Sequence, residues 1–251
     1  MNLIIRTFQY SFVVVLFTAI LFTTAESQVD LKLGGGLGIT SAVSDLNGTT
    51  MEYYNGSRYG FNSGLNLQGK AKIGLAGLNL VGEVDYTSLK NNGNSEPGQG
   101  VVKISQNIIS LKVGPEFHLS IPVLPLTPYF GANLAFHSFG GETTFQGVAK
   151  VPSATYSVKE ASRIGVGVSV GTEVSVGPLL SLDFNASYNF MNLSGKEWED
   201  VNPNVNQRID SYLTLNDGVD PQFTSGDDKH FIGNERSINS FLFTVSILFG
   251  L

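Results

Sequence analysis

Alternation of apolar and polar residues, repeated in eight separate segments, constrains this chain more than any other feature. Successive side chains of a strand point to opposite faces, so a period of two marks a strand with one apolar and one polar face. In residues 29–40, Leu31, Leu33, Leu37 and Ile39 share one parity against Asp30, Lys32 and Thr40. Residues 59–75 set Leu65, Leu67, Ala71 and Ile73 against Asn66, Gln68, Lys70 and Lys72. Residues 78–89 set Leu78, Leu80, Val84 and Tyr86 against Asn79, Glu83 and Asp85. Residues 101–119 oppose Ile109, Leu111, Val113 and Phe117 to Ser110, Lys112, Glu116 and His118. The pattern recurs over 126–139, 160–176, 179–190 and 240–251.

The connections are sorted as well. Short links fall at 76–77, 121–125 and 177–178, and long polar ones at 41–58, 90–100, 140–159 and 191–236. Tight turns on one side and long loops on the other are the habit of an up-and-down barrel in a membrane. Such a sheet must close, because an open edge in lipid leaves unsatisfied backbone groups. A soluble barrel shows the same alternation with its apolar face inward. Here the polar parity is mostly Gly, Ser and Asn, and charged residues make up only 14% of the chain, against roughly a quarter in soluble domains. Aromatics also gather towards strand ends (Phe117, Phe130, Phe136, Phe139, Tyr188, Phe190, Phe241, Phe249), as interfacial girdles do. The expected fold is therefore all-β: a closed antiparallel up-and-down transmembrane β-barrel of eight strands, with short periplasmic turns and long extracellular loops. Ile209, Leu213 and Leu215 alternate modestly within 205–215. That segment could pair with 229–233 above the membrane, or add two wall strands to make ten.

Residues 1–27 read as a secretory signal peptide: Arg6, then an apolar stretch over 12–22, then small residues. Cleavage after Ala25 or Ser27 would leave 28–251 as one barrel domain. The apolar stretch is too short for the ~20 residues of a spanning helix. Signal peptide, eight amphipathic strands, sorted loops and an aromatic final strand together resemble the OmpA/OmpX-like outer-membrane barrels of Gram-negative bacteria. The resemblance is architectural and covers 28–251. One departure is the ending Phe249-Gly250-Leu251, where these barrels usually finish on Phe. The resemblance implies the cell outer membrane as location, and outer-membrane lipid and lipopolysaccharide as surroundings.

Some barrels of this kind are lipid-directed hydrolases or acyltransferases, which need a nucleophile and a base within reach of each other. His137 and Ser138 are adjacent and face opposite sides of a strand, so they make no nucleophile–base pair. His118 sits on the polar parity beside a tight turn, and His230 lies in a charged loop. Histidines at ligand spacing and cysteines are both lacking. The glycine runs at 34–38 and 165–171 open no helix, so they read as crowding inside a narrow barrel rather than phosphate loops. A net charge of −6 offers no basic surplus for nucleic acid. The expectation is a non-enzymatic protein without a cofactor, displaying loops for envelope integrity or contact with a partner, through 41–58 and 191–236. A narrow solute channel is the first alternative, a lipid-directed outer-membrane hydrolase the second.

Two charge patterns complete the reading. The inward parity holds Asp30, Glu83, Asp85, Glu116, Glu173 and Asp183 with Lys32, Lys70, Lys72, Lys112 and Arg163. Those charges nearly cancel, as a dry interior requires, and suggest a structural ion network in the lumen. The link 191–236 carries nine acids and four bases and reads as a solvated loop. Within it Asp217, Asp220, Asp227 and Asp228 are weak candidates for Ca²⁺ or Mg²⁺, which favour oxygen ligands.

Overall fold

A computed structural model describes residues 30–75, 78–119, 125–200 and 208–251. The expected signal peptide with its cleavage sites, the turn at 76–77 and most of that at 121–125 lie outside them. Eight strands form the wall: β1 (Asp30–Ser44), β2 (Ser63–Leu75), β3 (Leu78–Gly93), β4 (Val101–His118), β5 (Leu126–Gln146), β6 (Ala154–Ser175), β7 (Leu180–Ser194) and β8 (Ile238–Gly250). Each pairs antiparallel with its sequence neighbour, and β1 pairs with both β2 and β8, which closes the barrel. At the closing seam Gly34 is so close to β8 that a Cβ would lie 1.9 Å from the Ile247 carbonyl oxygen, so only hydrogen fits there.

The wall has eight strands, not ten. Part of the segment 205–215 forms a short helix, α2 (Asp210–Leu213), in and beside which Ile209, Tyr212 and Leu215 are buried. Residues 220–232 fold back on themselves instead, Asp220 N–H donating to Ile232 and Thr224 N–H to His230. The link 140–159 is also mostly not a loop. β5 runs on to Gln146 and β6 starts at Ala154, so only 147–153 turn the chain.

Over the middle of the barrel, the apolar parity faces outward. Leu37, Leu65, Leu80, Val84, Ile109, Leu111, Leu134, Val168 and Phe243 are exposed, while Lys70, Lys72, Asp85, Lys112, Glu173 and Asp183 are buried inside. On β3 the outward apolar stretch runs from Leu78 to Tyr86, nine residues, within the ~9–11 that a tilted spanning strand uses. Phe117 and Phe130 stack at 5.3 Å near the short-turn end, and Phe190 and Phe241 are exposed near the other. Phe139 is a correction to the girdle: it is 1% exposed, on the inward parity of β5.

Past the apolar belt the same strands invert their chemistry without changing parity. On β4, Ser110 and Lys112 point inward beside outward Ile109 and Leu111; further on Val102, Ile104 and Ile108 point inward beside outward Lys103, Ser105 and Asn107. Outward residues that are apolar in one stretch and polar in the next mark the change from hydrocarbon to water. The strands therefore leave the membrane and continue as the wall of a small water-soluble barrel. Its apolar core joins Val102, Ile104, Ile108, Phe139, Phe145 and Ile238 from strands to Leu46, Tyr53, Tyr54, Tyr59, Phe61, Ile209, Tyr212 and Leu215 from loops. Helix α1 (Thr50–Tyr54) supplies Tyr53 and Tyr54. A capping box holds its start: Thr49 Oγ1 accepts from Glu52 N–H, and the Glu52 carboxylate from Thr49 N–H at 2.8 Å.

Candidate functional site: the filled lumen and its cap

An interior of eight strands is just wide enough for side chains to fill. Lys70 and Lys72 alternate inward on β2 and meet acids both on the neighbouring β3 and on strands across the lumen. Lys70 Nζ lies 2.7 Å from Asp183 on β7 and 3.0 Å from Glu83 on β3. Lys72 Nζ lies 2.7 Å from Glu116, 3.5 Å from Asp183 and 3.6 Å from Glu173. Lys112 pairs with Asp85 at 2.8 Å and approaches Glu83 at 3.9 Å, and Lys32 reaches Glu173 from β1. Burying any of these charges alone would be costly, and it is tolerable only because partners converge on each. Tyr129 completes the lattice: its hydroxyl donates to Asp183 at 2.6 Å and accepts from Asn185, and its ring lies 4.5 Å below Lys72 Nζ.

Two residues assigned to the network lie at its margins. Asp30 is half exposed at the short-turn rim, 3.4 Å from Lys32. Arg163 sits at the opposite end, where its guanidinium grips Asp217 by two bonds, Nε to Oδ2 at 2.9 Å and Nη2 to Oδ1 at 2.7 Å. Asn192 donates to the same carboxylate, and Arg163 also reaches Glu197. So Arg163 anchors a loop rather than pairing with the lumen acids.

The acid-rich link is likewise only partly solvated. Asp217 and Asp220 are essentially fully buried, held by Arg163 and by His230 Nδ1 at 2.8 Å respectively. Asp227 accepts from the Lys229 N–H, which with that of His230 holds its carboxyl below the usual carboxylate range, and Asp228 pairs with Lys150. Each of the four candidate ligands has a different partner, and no group of three acidic or histidine residues able to hold a metal occurs among the described residues.

The cap core is sealed by tyrosine hydroxyls. Tyr53 bonds Thr143 at 2.9 Å, Tyr54 donates to Ala149, Tyr59 to Leu215 and Tyr212 to Tyr54. Burial pushes the Tyr53 hydroxyl up to about 12, and those of Tyr59 and Tyr212 further in the same direction. Arg208 stacks on Tyr54 and Phe231 at 4.7 and 3.7 Å, fastening the long link to α1. One cavity of about 20 Å³ lies in the cap and another of the same size beside Glu83, Lys112 and Asn133 in the lumen. Each is about the room of one water.

His137 is completely buried and its Nδ1 meets Ser110 Oγ at 2.8 Å. This is a serine–histidine contact that sequence spacing missed, since the two lie on different strands. Both point into the closed lumen, away from lipid. His118 pairs with Glu116 at 2.6 Å and stacks on Tyr129. Tyr129 was detectable from its parity alone. Asn192, Arg208 and Arg236 carried no sequence signal, because their partners come from distant loops.

A closed eight-stranded barrel with an apolar outer belt and a charged interior defines a class, the small transmembrane β-barrels. A family model described as the outer membrane protein beta-barrel domain matches residues 11–208, and the chain belongs to that family. Among solved structures it is similar to Neisserial surface protein A, at 14% identity over 87% of this chain and 96% of that one, with a TM-score of 0.49. It is also similar to OprG from Pseudomonas aeruginosa, at 9% identity over 90% and 97%, with a TM-score of 0.47. A third is Ail of Yersinia pestis, solved with the heparin analogue sucrose octasulfate, at 10% identity over 89% and 99%, TM-score 0.41. No curated protein matches the sequence.

Proposed function

We propose that this protein is a non-enzymatic outer-membrane barrel that conducts no solute and works through its extracellular cap. One observation carries the reading: the lumen is filled by the lattice around Lys70, Lys72 and Asp183, and its outer end by the apolar cap core. A permeation path would need these side chains to move and their buried charges to lose partners. The described part of the cap is folded, so 41–58, 147–153, 191–200 and 208–236 offer a fixed surface to a partner or to lipopolysaccharide. Asp227 and Asp228 near its edge leave room for weak contacts through shared divalent ions. The inward orientation of Ser110 and His137 argues against lipid hydrolysis. Export through the secretory pathway, with cleavage after Ala25 or Ser27, belongs to the same reading and is checked by sequencing the mature N-terminus.

The test is reconstitution in planar bilayers. The expected record stays at the level of the bare membrane. Stable unitary currents would overturn the sealed-barrel reading in favour of a channel, and a changed lipid A acylation pattern on expression would favour a hydrolase.

A further inference from the structure

Arg236 is 5% exposed, and among the described residues no carboxylate pairs with it. The nearby Asp217 offers it only a backbone carbonyl, which accepts from the Arg236 N–H at 2.9 Å, because the Asp217 carboxylate is committed to Arg163. The guanidinium lies 4.1 Å from the centre of the Tyr59 ring and spends Nη2 on the Leu215 and Asn216 carbonyls. Its Nε, fully enclosed, has no hydrogen-bond partner. Thr214, 8% exposed, likewise has an enclosed hydroxyl without a partner. Both residues line the 20 Å³ cavity of the cap, together with Tyr53, Tyr59, Thr143 and Tyr212. The tyrosine hydroxyls there already donate or bond elsewhere.

A buried cation without a counter-charge is costly, and an enclosed donor without an acceptor adds to that cost. One small anion relieves both. We propose that the cap holds a monatomic anion such as chloride in this cavity, accepting from Arg236 Nε–H and the Thr214 hydroxyl. Room for about one water-sized body suits a single small ion. The anion links α2 and its flank (Thr214) to the base of β8 (Arg236), so its binding tightens the cap over the barrel.

The experiment uses the whole mature chain refolded in detergent micelles. Crystals grown in sodium bromide should show anomalous scattering within hydrogen-bonding reach of Arg236 Nε. The melting temperature should be higher in chloride than in gluconate at matched ionic strength. Thr214→Val keeps the stacked guanidinium and removes one donor, so the halide concentration for half-maximal stabilisation should rise about tenfold. Arg236→Gln should abolish the halide dependence; if it does not fold, the Thr214 variant decides. A water or an empty cavity at Arg236 in bromide, equal melting in both salts, or an unchanged halide dependence in Thr214→Val would each overturn the proposal.

Discussion

Replacing Arg163 by alanine should release the long link from the barrel while leaving the wall intact. The Arg163–Asp217 pair is bidentate, with side chains 2% and 0% exposed. Removing one partner of such a pair leaves the other charge buried, at about 3–5 kcal/mol. Asp217 keeps the Asn192 amide at 2.8 Å and the Glu197 N–H at 3.2 Å, which places the cost near the low end, about 3 kcal/mol. That is roughly a hundredfold in the equilibrium for opening the segment. Hydrogen exchange on the refolded protein reads it directly: amides over 209–220 should exchange about a hundredfold faster, while those flanking Lys70 keep their protection. Arg163→Lys should recover only part of the loss, because an ammonium lacks the planar fork. Unchanged exchange over 209–220 in Arg163→Ala would refute the idea that this ion pair fastens the cap.

Lys70→Ala removes the cation shared by Asp183 and Glu83, and denaturant unfolding in lipid vesicles should show a loss of about 3–5 kcal/mol spread over the whole barrel. Val168→Arg, on the lipid face of β6, should cost about 2–4 kcal/mol in a bilayer; no loss would place that face away from hydrocarbon. The cap should also weaken in alkali. The folded state favours the neutral Tyr53 hydroxyl, so its contribution is complete below the free tyrosine value of 10.0 and is lost as pH rises towards about 12. Two units correspond to roughly 2–3 kcal/mol. Tyr53→Phe should start lower, having lost the Thr143 bond, and show a shallower alkaline decline when cap opening is followed by protease sensitivity.

Much of the wall was legible because hydrocarbon and water act on each residue where it stands. Leu37 or Ile109 needs no knowledge of its partner to be worth placing in lipid, and a two-residue period suffices to separate it from Lys112 or Asp85. Strand number and closure follow from that local signal. Beyond the belt the signal reverses: Ile104 and Phe145 are apolar on the parity that is polar lower down. A register shift between Phe139 and Gly141 then obscures the alternation further, so the extended β5–β6 hairpin read as a polar loop.

The sequence by itself determined that inward charges would nearly cancel and that outward residues would suit lipid, since both are properties of composition and parity. Which charge meets which was decided only by the tertiary structure. Lys70 and Asp183 are 113 residues apart, and they touch because an eight-strand closure brings β2 and β7 across one narrow lumen. The link 191–236 shows the same division at its sharpest. Its acids look solvated one at a time, yet Asp217 is buried because Arg163, 54 residues away, projects from the middle of β6 to meet it. Parity records the solvent each side chain faces, while pairing depends on loop closure and strand stagger, which no local pattern encodes.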